Sequence, residues 1–144
     1  MLRSPAVKQH SDLLTFATRR GLLEITADVR KVVRAARVSE GLCTVFVRHT
    51  SASLVIQENA DPDVQRDLEA FLSRLAPDGD RLFVHTAEGP DDMPSHAKAA
   101  LLKTSEQIPI REGDLVLGTW QGLYLWEHRS RPHRREVAVH VLGE

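Results

Sequence analysis

The stretch LCTVFVRHTSASLVIQENADPDVQRDLEAFLSRL, from Leu42 to Leu75, decides the fold class because two strand patterns run directly into a helix pattern. Residues 42–48 are mostly apolar, which predicts a strand buried on both faces, and residues 53–57 predict a second strand. Asp61 is placed to cap the helix, with Pro62 at its first position. The helix then carries one apolar stripe, which consists of Val64, Leu68, Phe71, Leu72 and Leu75.

On the N-terminal side of this stretch, the chain is predicted to form a strand over Val7–Thr18 and a short extended run over Leu22–Ile25. Thr26 has the character of an N-cap for the helix that follows. That helix is predicted because apolar residues recur at the spacing of one helical face, at Val29, Val32, Val33 and Ala36.

The C-terminal half mixes strand and helix patterns without regular alternation. Ser95 is predicted to cap a helix that runs to about Thr104. Strands are expected at Arg81–His85, Ile108–Ile110, Leu115–Thr119, Leu123–Glu127 and Glu136–Val141, with residues 115–127 forming a hairpin. About eight short strands and three helices, the strands mostly flanking the helices, predict a compact α+β fold as a single domain over residues 1–144.

The bulk composition excludes several classes of function. The net charge of -1 gives no broad basic surface, which argues against nucleic acid as a partner. No apolar stretch approaches the roughly 20 residues that cross a membrane, and the start MLRSPAVKQHSD lacks the apolar core of a signal peptide. The single cysteine, Cys43, lies in an apolar run and is expected to be a buried, unreactive thiol, which favours a cytoplasmic location.

Three of the seven histidines lie at the boundary of a predicted element, where a rigid backbone can aim a side chain into a shared pocket. His49 follows a strand, His85 follows the run RLFV, and His96 lies near the start of a helix, whose dipole favours the neutral imidazole. Three neutral nitrogens around a divalent ion, with one position left for water, form an open catalytic metal site. The alternative is three unrelated caps, since the spacing of His85 and His96 matches no standard short motif.

Carboxylates lie in the loop between the last two of these histidines. Glu88, Asp91 and Asp92 belong to it. Asp91 and Asp92 could be metal ligands or partners that fix an imidazole tautomer. They could equally form the turn ahead of Met93 and Pro94. We expect them in supporting roles.

Hydroxyl and amide groups form two further candidate surfaces. Thr50, Ser51 and Ser53 follow His49 and, with Arg48 nearby, could hold a phosphate or carboxylate, or could simply form a polar turn. In LGTWQGLYLWEHR, residues 117–129, a tip tryptophan beside Gln121 suits stacking on a flat ring or a subunit interface. The basic loop that follows, residues 128–135, could attract a phosphate or remain solvated charge.

Read together, four stretches resemble the YjbQ family, also called UPF0047. They are HTSAS at residues 49–53, ENADPDV at 58–64, HTAEGPDDMPSHAKAALL at 85–102 and LGTWQGLYLWEHR at 117–129. The resemblance covers nearly the whole chain in order. The tail loop HRSRPHRR departs from it by being longer and more basic.

The resemblance implies a YjbQ-like α+β fold, a homotrimer, and a pocket near the histidine cluster at or close to a subunit boundary. It also implies a low-level secondary thiamine-phosphate synthase activity, which joins a pyrimidine diphosphate to a thiazole phosphate. By position, His49, His85 and His96 match the family's histidines, and Gln121 and Glu127 lie in its last motif.

We therefore expect a small enzyme that handles a phosphorylated metabolite. The predicted catalytic residues are His49, His85, His96 and Glu127, and a divalent metal, zinc or magnesium, is expected on the three histidines. The predicted ligand-binding residues are Thr50, Ser51, Ser53, Gln121 and Arg129. Displacing pyrophosphate requires positive charge where negative charge develops, although His85 or His96 could instead act as an acid or base. The alternative is a non-catalytic protein that binds a small anionic metabolite.

Overall fold

Eight strands and three helices make up the computed structural model, which describes residues 2–144 and confirms the α+β prediction. The strands are β1 (Lys8–Thr18), β2 (Gly21–Glu24), β3 (Gly41–Val47), β4 (Ala52–Glu58), β5 (Ser105–Arg111), β6 (Asp114–Leu115), β7 (Gln121–Glu127) and β8 (His133–Gly143). The helices are α1 (Thr26–Ala36), α2 (Pro62–Leu75) and α3 (Asp92–Leu101). Among residues 2–144, no helix is both long and apolar enough to cross a membrane.

The strands form two antiparallel sheets that share one core. The larger sheet has the order β1-β8-β3-β5-β6, and the smaller has the order β2-β7-β4. Alternate residues of β3 and β8 point inward, as the period of two in a strand requires. They pack with the apolar face of α1, which consists of Val29, Val32, Val33 and Ala36 as predicted. Cys43 is fully buried in this core, and burial raises the pKa of its thiol to about 11.

One predicted strand and the predicted hairpin are wrong. Arg81–His85 is a loop, in which Leu82 and Val84 are exposed, and no strand within residues 2–144 pairs with it. The predicted hairpin over residues 115–127 does not form, because β6 pairs with β5 in the larger sheet and β7 pairs with β2 and β4 in the smaller one. The chain between them passes from one sheet to the other through a turn closed by Gln121 and Gly118.

Helix ends differ from the sequence prediction at two of three positions. Asp61 caps α2 as predicted, with its carboxylate accepting from the backbone N of Asp63 at 2.9 Å. Thr26 lies inside α1, and its hydroxyl accepts from the backbone N of Leu123 instead. Helix α3 begins at Asp92, so Ser95 is not its cap, and Ser95 Oγ donates back to the Asp91 carbonyl at 2.6 Å. His96 therefore lies in the second turn of α3.

Candidate functional site

Three side chains meet at the start of α3, and they are His85, Asp92 and His96. One potential ligand atom from each lies within 4.8 Å of the others. Asp92 and His96 are four residues apart on one helix and so share a face, while His85 comes from the preceding loop. Asp92 Oδ2 lies 2.8 Å from His85 Nε2 and 3.2 Å from His96 Nε2.

The hydrogen bonds of His96 determine which of its nitrogens carries the proton. Its Nδ1 lies 2.9 Å from the Thr50 carbonyl oxygen, which can only accept, so Nδ1 is the donor. In the neutral ring, Nε2 then presents a lone pair toward the Asp92 carboxylate. Two lone pairs 3.2 Å apart repel, and a proton or a metal ion between them removes the repulsion. The arrangement can therefore hold a cation.

Arg129 holds the carboxylates of the site in place. Its Nε lies 2.9 Å from Asp91 Oδ2, its Nη1 lies 2.9 Å from Asp92 Oδ1, and its Nη2 donates to the Glu88 carbonyl at 3.0 Å. Every nitrogen of the guanidinium is thus engaged within the protein. Arg129 therefore positions these carboxylates, and its binding of a ligand stays a prediction.

Both aspartates stay ionised in spite of their burial. Burial alone would raise the pKa of Asp91, but hydrogen bonds from Arg129 and Ser130 outweigh it and lower that pKa well below its usual range. Burial likewise acts to raise the pKa of Asp92, and the hydrogen bond from His85 and the nearby charges outweigh it. A carboxylate that remains charged while almost fully buried is a strong cation ligand.

His49 is not part of the group, which corrects the predicted set of three histidine ligands. Its Nδ1 faces Ser51, at 3.1 Å from the backbone N and 3.0 Å from Oγ. Burial and the charge of Arg135 lower the pKa of His49. Asp92 takes the place in the group that the sequence assigned to His49, and its spacing of four from His96 is the signal that could have shown this.

Two cavities flank the group. One of about 370 Å³ opens beside His85 and has an apolar wall formed by Phe83, Pro90, Met93 and Pro94. The other, of about 260 Å³, is lined by His49, Thr50, His96, Ala99, Ala100 and Thr104. The cluster thus borders one cavity through His85 and the other through His96.

Glu127 lies in the interior, contrary to the prediction that it is catalytic. It is 0% exposed and accepts two hydrogen bonds from Arg135, each at 2.7 Å, and one from Thr18 Oγ1 at 2.5 Å. Burial acts to raise its pKa, and these hydrogen bonds outweigh it and lower the pKa. Glu127 has no free face from which to reach a ligand.

Of the remaining predicted ligand-binding residues, Thr50 lies at the cluster, while Ser51, Ser53 and Gln121 do not. Ser51 and Ser53 are fully buried, and Ser53 Oγ lies 2.9 Å from His128 Nε2. Thr50 is exposed beside the cluster and contributes its carbonyl to His96. Gln121 begins β7 and accepts from the Gly118 backbone N at 2.8 Å, about 20 Å along the strand from Glu127.

Two buried titratable residues have no counterpart in the sequence prediction of the site. Lys98 is 1% exposed on α3, and burial lowers the pKa of its ammonium. His128 is 0% exposed, and its Nδ1 has no hydrogen-bond partner within residues 2–144. Burial, followed by the charge of Lys98, lowers the pKa of His128 to about 3, so its ring is neutral in the fold.

Known proteins are similar to this chain in sequence and in fold. A sequence model of the family described as UPF0047 protein YjbQ-like matches residues 12–144. A UPF0047 protein of Synechocystis sp. is 56% identical over 146 residues, which cover 100% of this chain and 99% of that protein. The UPF0047 protein YjbQ of Escherichia coli O157:H7 is 40% identical over 129 residues, covering 89% and 93% respectively.

Two solved structures are similar in fold to this chain. A YbjQ-like protein of unknown function from Sulfolobus solfataricus P2 superposes with a TM-score of 0.87 at 29% identity, covering 96% of this chain and 100% of that one. An uncharacterised yjbq/upf0047 protein from Clostridium acetobutylicum superposes with a TM-score of 0.83 at 38% identity, covering 90% and 98%.

Proposed function

The chain belongs to the YjbQ-like UPF0047 family, and on that premise we propose that it is a small metal-dependent enzyme acting on a phosphorylated metabolite. The observation that carries the proposal is the contact between His96 Nε2 and Asp92 Oδ2 at 3.2 Å, with the Nδ1 proton of His96 committed to Thr50. His85 completes a set of two imidazoles and one carboxylate around a position that favours a cation.

The ligand set favours zinc over magnesium. Magnesium prefers oxygen ligands and usually retains several waters, whereas imidazole nitrogens suit zinc and its neighbours in the transition series. Within residues 2–144, three protein groups converge here, which would leave a coordination position for water or substrate. When bound, such an ion would supply positive charge for a phosphoryl or pyrophosphate group.

The specific activity that we propose is low-level thiamine-phosphate synthesis, from a pyrimidine diphosphate and a thiazole phosphate with release of pyrophosphate. Its support is the family resemblance, together with the two cavities that border the cluster, one lined by His85 and the other by His96. Arg129 would hold Asp91 and Asp92 fixed while charge develops nearby. His85 and His96 are the groups placed to exchange a proton with a bound molecule.

Metal analysis tests the site directly. Protein purified without an affinity tag is measured by elemental analysis for the wild type, Asp92→Asn, His85→Ala and His96→Ala, with His10→Ala on the distant strand β1 as the matched control. We expect bound zinc in the wild type and the control, and loss of it in the other three. Equal metal content in all five proteins would contradict a metal site formed by His85, Asp92 and His96.

Product formation tests the activity and separates it from simple binding. The metal-loaded protein is incubated with the two phosphorylated precursors, and thiamine phosphate is followed by mass spectrometry. Formation in the wild type and its loss in Asp92→Asn is expected. A precursor that stabilises the protein against heat but is never consumed would point instead to the non-catalytic binding protein.

We also propose that the chain forms a homotrimer through the outer face of the larger sheet. Four apolar side chains are exposed there at 38–47%, and they are Leu13, Leu42, Phe46 and Leu142. The register places them in two rows, Leu42 with Leu142 and Leu13 with Phe46 on either side of Ala138, and the polar row of Ser11, His140 and Thr44 lies between these rows. Exposed apolar side chains gathered on one face of a sheet, with polar residues among them, are typical of a subunit contact. Sedimentation velocity should show a trimer that Phe46→Lys dissociates; a monomeric wild type would contradict it.

A further inference from the structure

The hydrogen bonds that hold His49 run in one direction, from a buried arginine to the imidazole. Arg135 Nη2 donates to Ser51 Oγ at 3.0 Å, because a guanidinium has no acceptor. The Ser51 hydroxyl is then free to donate to His49 Nδ1 at 3.0 Å. The Ser51 backbone N also donates to Nδ1, at 3.1 Å. Since a backbone N–H can only donate, Nδ1 is unprotonated and the neutral ring carries its proton on Nε2.

His96 has the opposite tautomer and borders the same cavity. Its Nδ1 donates to the Thr50 carbonyl, so its lone pair is on Nε2. The two imidazoles therefore offer different chemistry, a lone pair from His96 and an N–H donor from His49. The Nε2 edge of His49 is the edge away from Ser51, and the residue is exposed rather than enclosed.

We propose that His49 is a fixed, neutral hydrogen-bond donor for a phosphoryl oxygen of a ligand in this cavity, with Ser51 and Arg135 as the residues that position it. The identity of the ligand as a phosphorylated metabolite rests on the proposed function. A nitrogen that carries a proton cannot ligate a metal, so His49 complements the metal group rather than joining it. Ala99 and Ala100 give the cavity an apolar wall, which strengthens a hydrogen bond made beside it.

The buried pair of Glu127 and Arg135 explains why this donor would stay fixed. Arg135 is 3% exposed and is held by Glu127 through two bonds of 2.7 Å, so its remaining N–H groups have defined directions. One of these directions is toward Ser51. The side chain that contacts the ligand is therefore oriented from the interior, in the way that a rigid scaffold supports a binding group.

The tautomer is tested first, in the metal-free protein, by long-range proton–nitrogen NMR of the imidazole rings. His49→Gln and His96→Gln assign the signals. We expect the proton of His49 on Nε2 and that of His96 on Nδ1. A proton on His49 Nδ1 would overturn the proposal.

Binding of inorganic phosphate is tested next, by titration calorimetry of the wild type, His49→Gln and His49→Phe. Glutamine keeps an N–H donor at a similar reach, while phenylalanine keeps only the ring. We expect His49→Phe to weaken phosphate binding about tenfold or more, the cost of a lost hydrogen bond to a charged acceptor, and His49→Gln to lose much less. Equal affinity in wild type and His49→Phe, or no phosphate binding by the wild type, would overturn the proposal.

Zinc binding by the same variants separates this inference from the proposed function. Both His49 variants should bind zinc like the wild type, while His96→Gln should not. Zinc loss in His49→Phe as large as in His96→Gln would make His49 a ligand and overturn the proposal. A wild type that binds no zinc would contradict the proposed metal site, yet the tautomer and phosphate measurements would still decide the role of His49. Unchanged thermal midpoints for the His49 variants are the check that they fold.

Discussion

Two arginine–carboxylate assemblies in this protein differ in how completely their polar atoms are paired. In the first, Glu127 and Arg135 are both buried, and Glu127 accepts from Arg135, Thr18 and the backbone. In the second, Arg129 holds Asp91 and Asp92, but Asp92 Oδ2 faces two half-open imidazoles. We call the assembly of Glu127 and Arg135 the closed pair, and the assembly of Arg129 with Asp91 and Asp92 the open pair.

The difference shows how a scaffold is distinguished from a site. A buried ion pair is tolerated only when nearly every lone pair and N–H has a partner, which the Glu127 assembly achieves. The Asp92 assembly leaves Oδ2 facing the Nε2 lone pair of His96, and a proton or a metal ion between the two atoms removes their repulsion. Incomplete pairing, rather than residue type, marks the functional region.

Breaking the closed pair should have the largest effect. Glu127→Gln leaves the Arg135 charge buried and uncompensated, and we expect a loss of about 3–5 kcal/mol in the free energy of unfolding, measured in urea. The double variant Glu127→Leu with Arg135→Met, which removes both charges, should recover most of it. A loss below about 1 kcal/mol for Glu127→Gln would show that the pair is not a scaffold.

Loosening the open pair should change metal affinity more than stability. Arg129→Lys keeps the charge but cannot hold Asp91 and Asp92 together, because a lysine lacks the planar fork of the guanidinium. We expect zinc affinity to fall by about 10–100-fold, as for other residues that orient a metal ligand. Arg131→Lys, in the same loop, is the matched control. Similar zinc affinities for Arg129→Lys and Arg131→Lys would show that Arg129 does not position the metal ligands.

His128, which is buried next to Glu127 in the sequence, makes the stability of the fold depend on pH. Burial lowers its pKa to about 3, from 6.5 for a free histidine. Between these values the unfolded chain binds a proton that the folded chain does not, so stability falls as pH falls from about 6.5 toward 3.

The slope due to His128 is at most about 1.4 kcal/mol per pH unit. Because His128→Gln keeps an amide near Ser53 but cannot titrate, it should flatten the profile between about pH 6.5 and 4.5 relative to wild type. Urea unfolding at several pH values measures this, with His10→Gln as the control. Parallel profiles for wild type and His128→Gln would contradict neutral burial.

A third ion pair, on the surface, is expected to contribute the least to stability. Arg48 and Glu136 lie 3.2 Å apart on the surface, with side chains 53% and 46% exposed. Solvent screens such a pair, so Glu136→Gln should cost less than about 1 kcal/mol in urea unfolding. A cost comparable to that of Glu127→Gln would mean that burial is not what separates these pairs.

Much of the fold could be predicted because its causes are local. Asp61 and Pro62 start α2 through bonds to adjacent residues, and the spacing of Val29, Val32 and Val33 determines which face of α1 is buried. The stripe of α2 was only partly right. Leu72 is buried, but Phe71 and Leu75 are 61% and 56% exposed, because no element among residues 2–144 covers that edge of the helix.

The candidate site could be predicted only in part. His85 and His96 lie at the cluster, while His49 lies beside it and Asp92 takes a direct place in it. Glu127 and Gln121, which share one motif, end up in the interior and at the far end of a strand. A motif records residue types, whereas the role of each depends on what packs against it.

The sequence by itself determined the α+β class, the family, the positions of α1, α2 and β3, and the two histidines of the cluster, because periodicity, capping and motif order act between near neighbours. Only the tertiary structure decided that residues 115 and 123 join different sheets and that Glu127 is scaffold. It also decided the tautomers of His96 and His49. The tautomer of His96 follows from its contact with Thr50, which is 46 positions away, and Arg135, 84 positions from Ser51, directs the Ser51 hydroxyl beside His49. No local pattern specifies either contact.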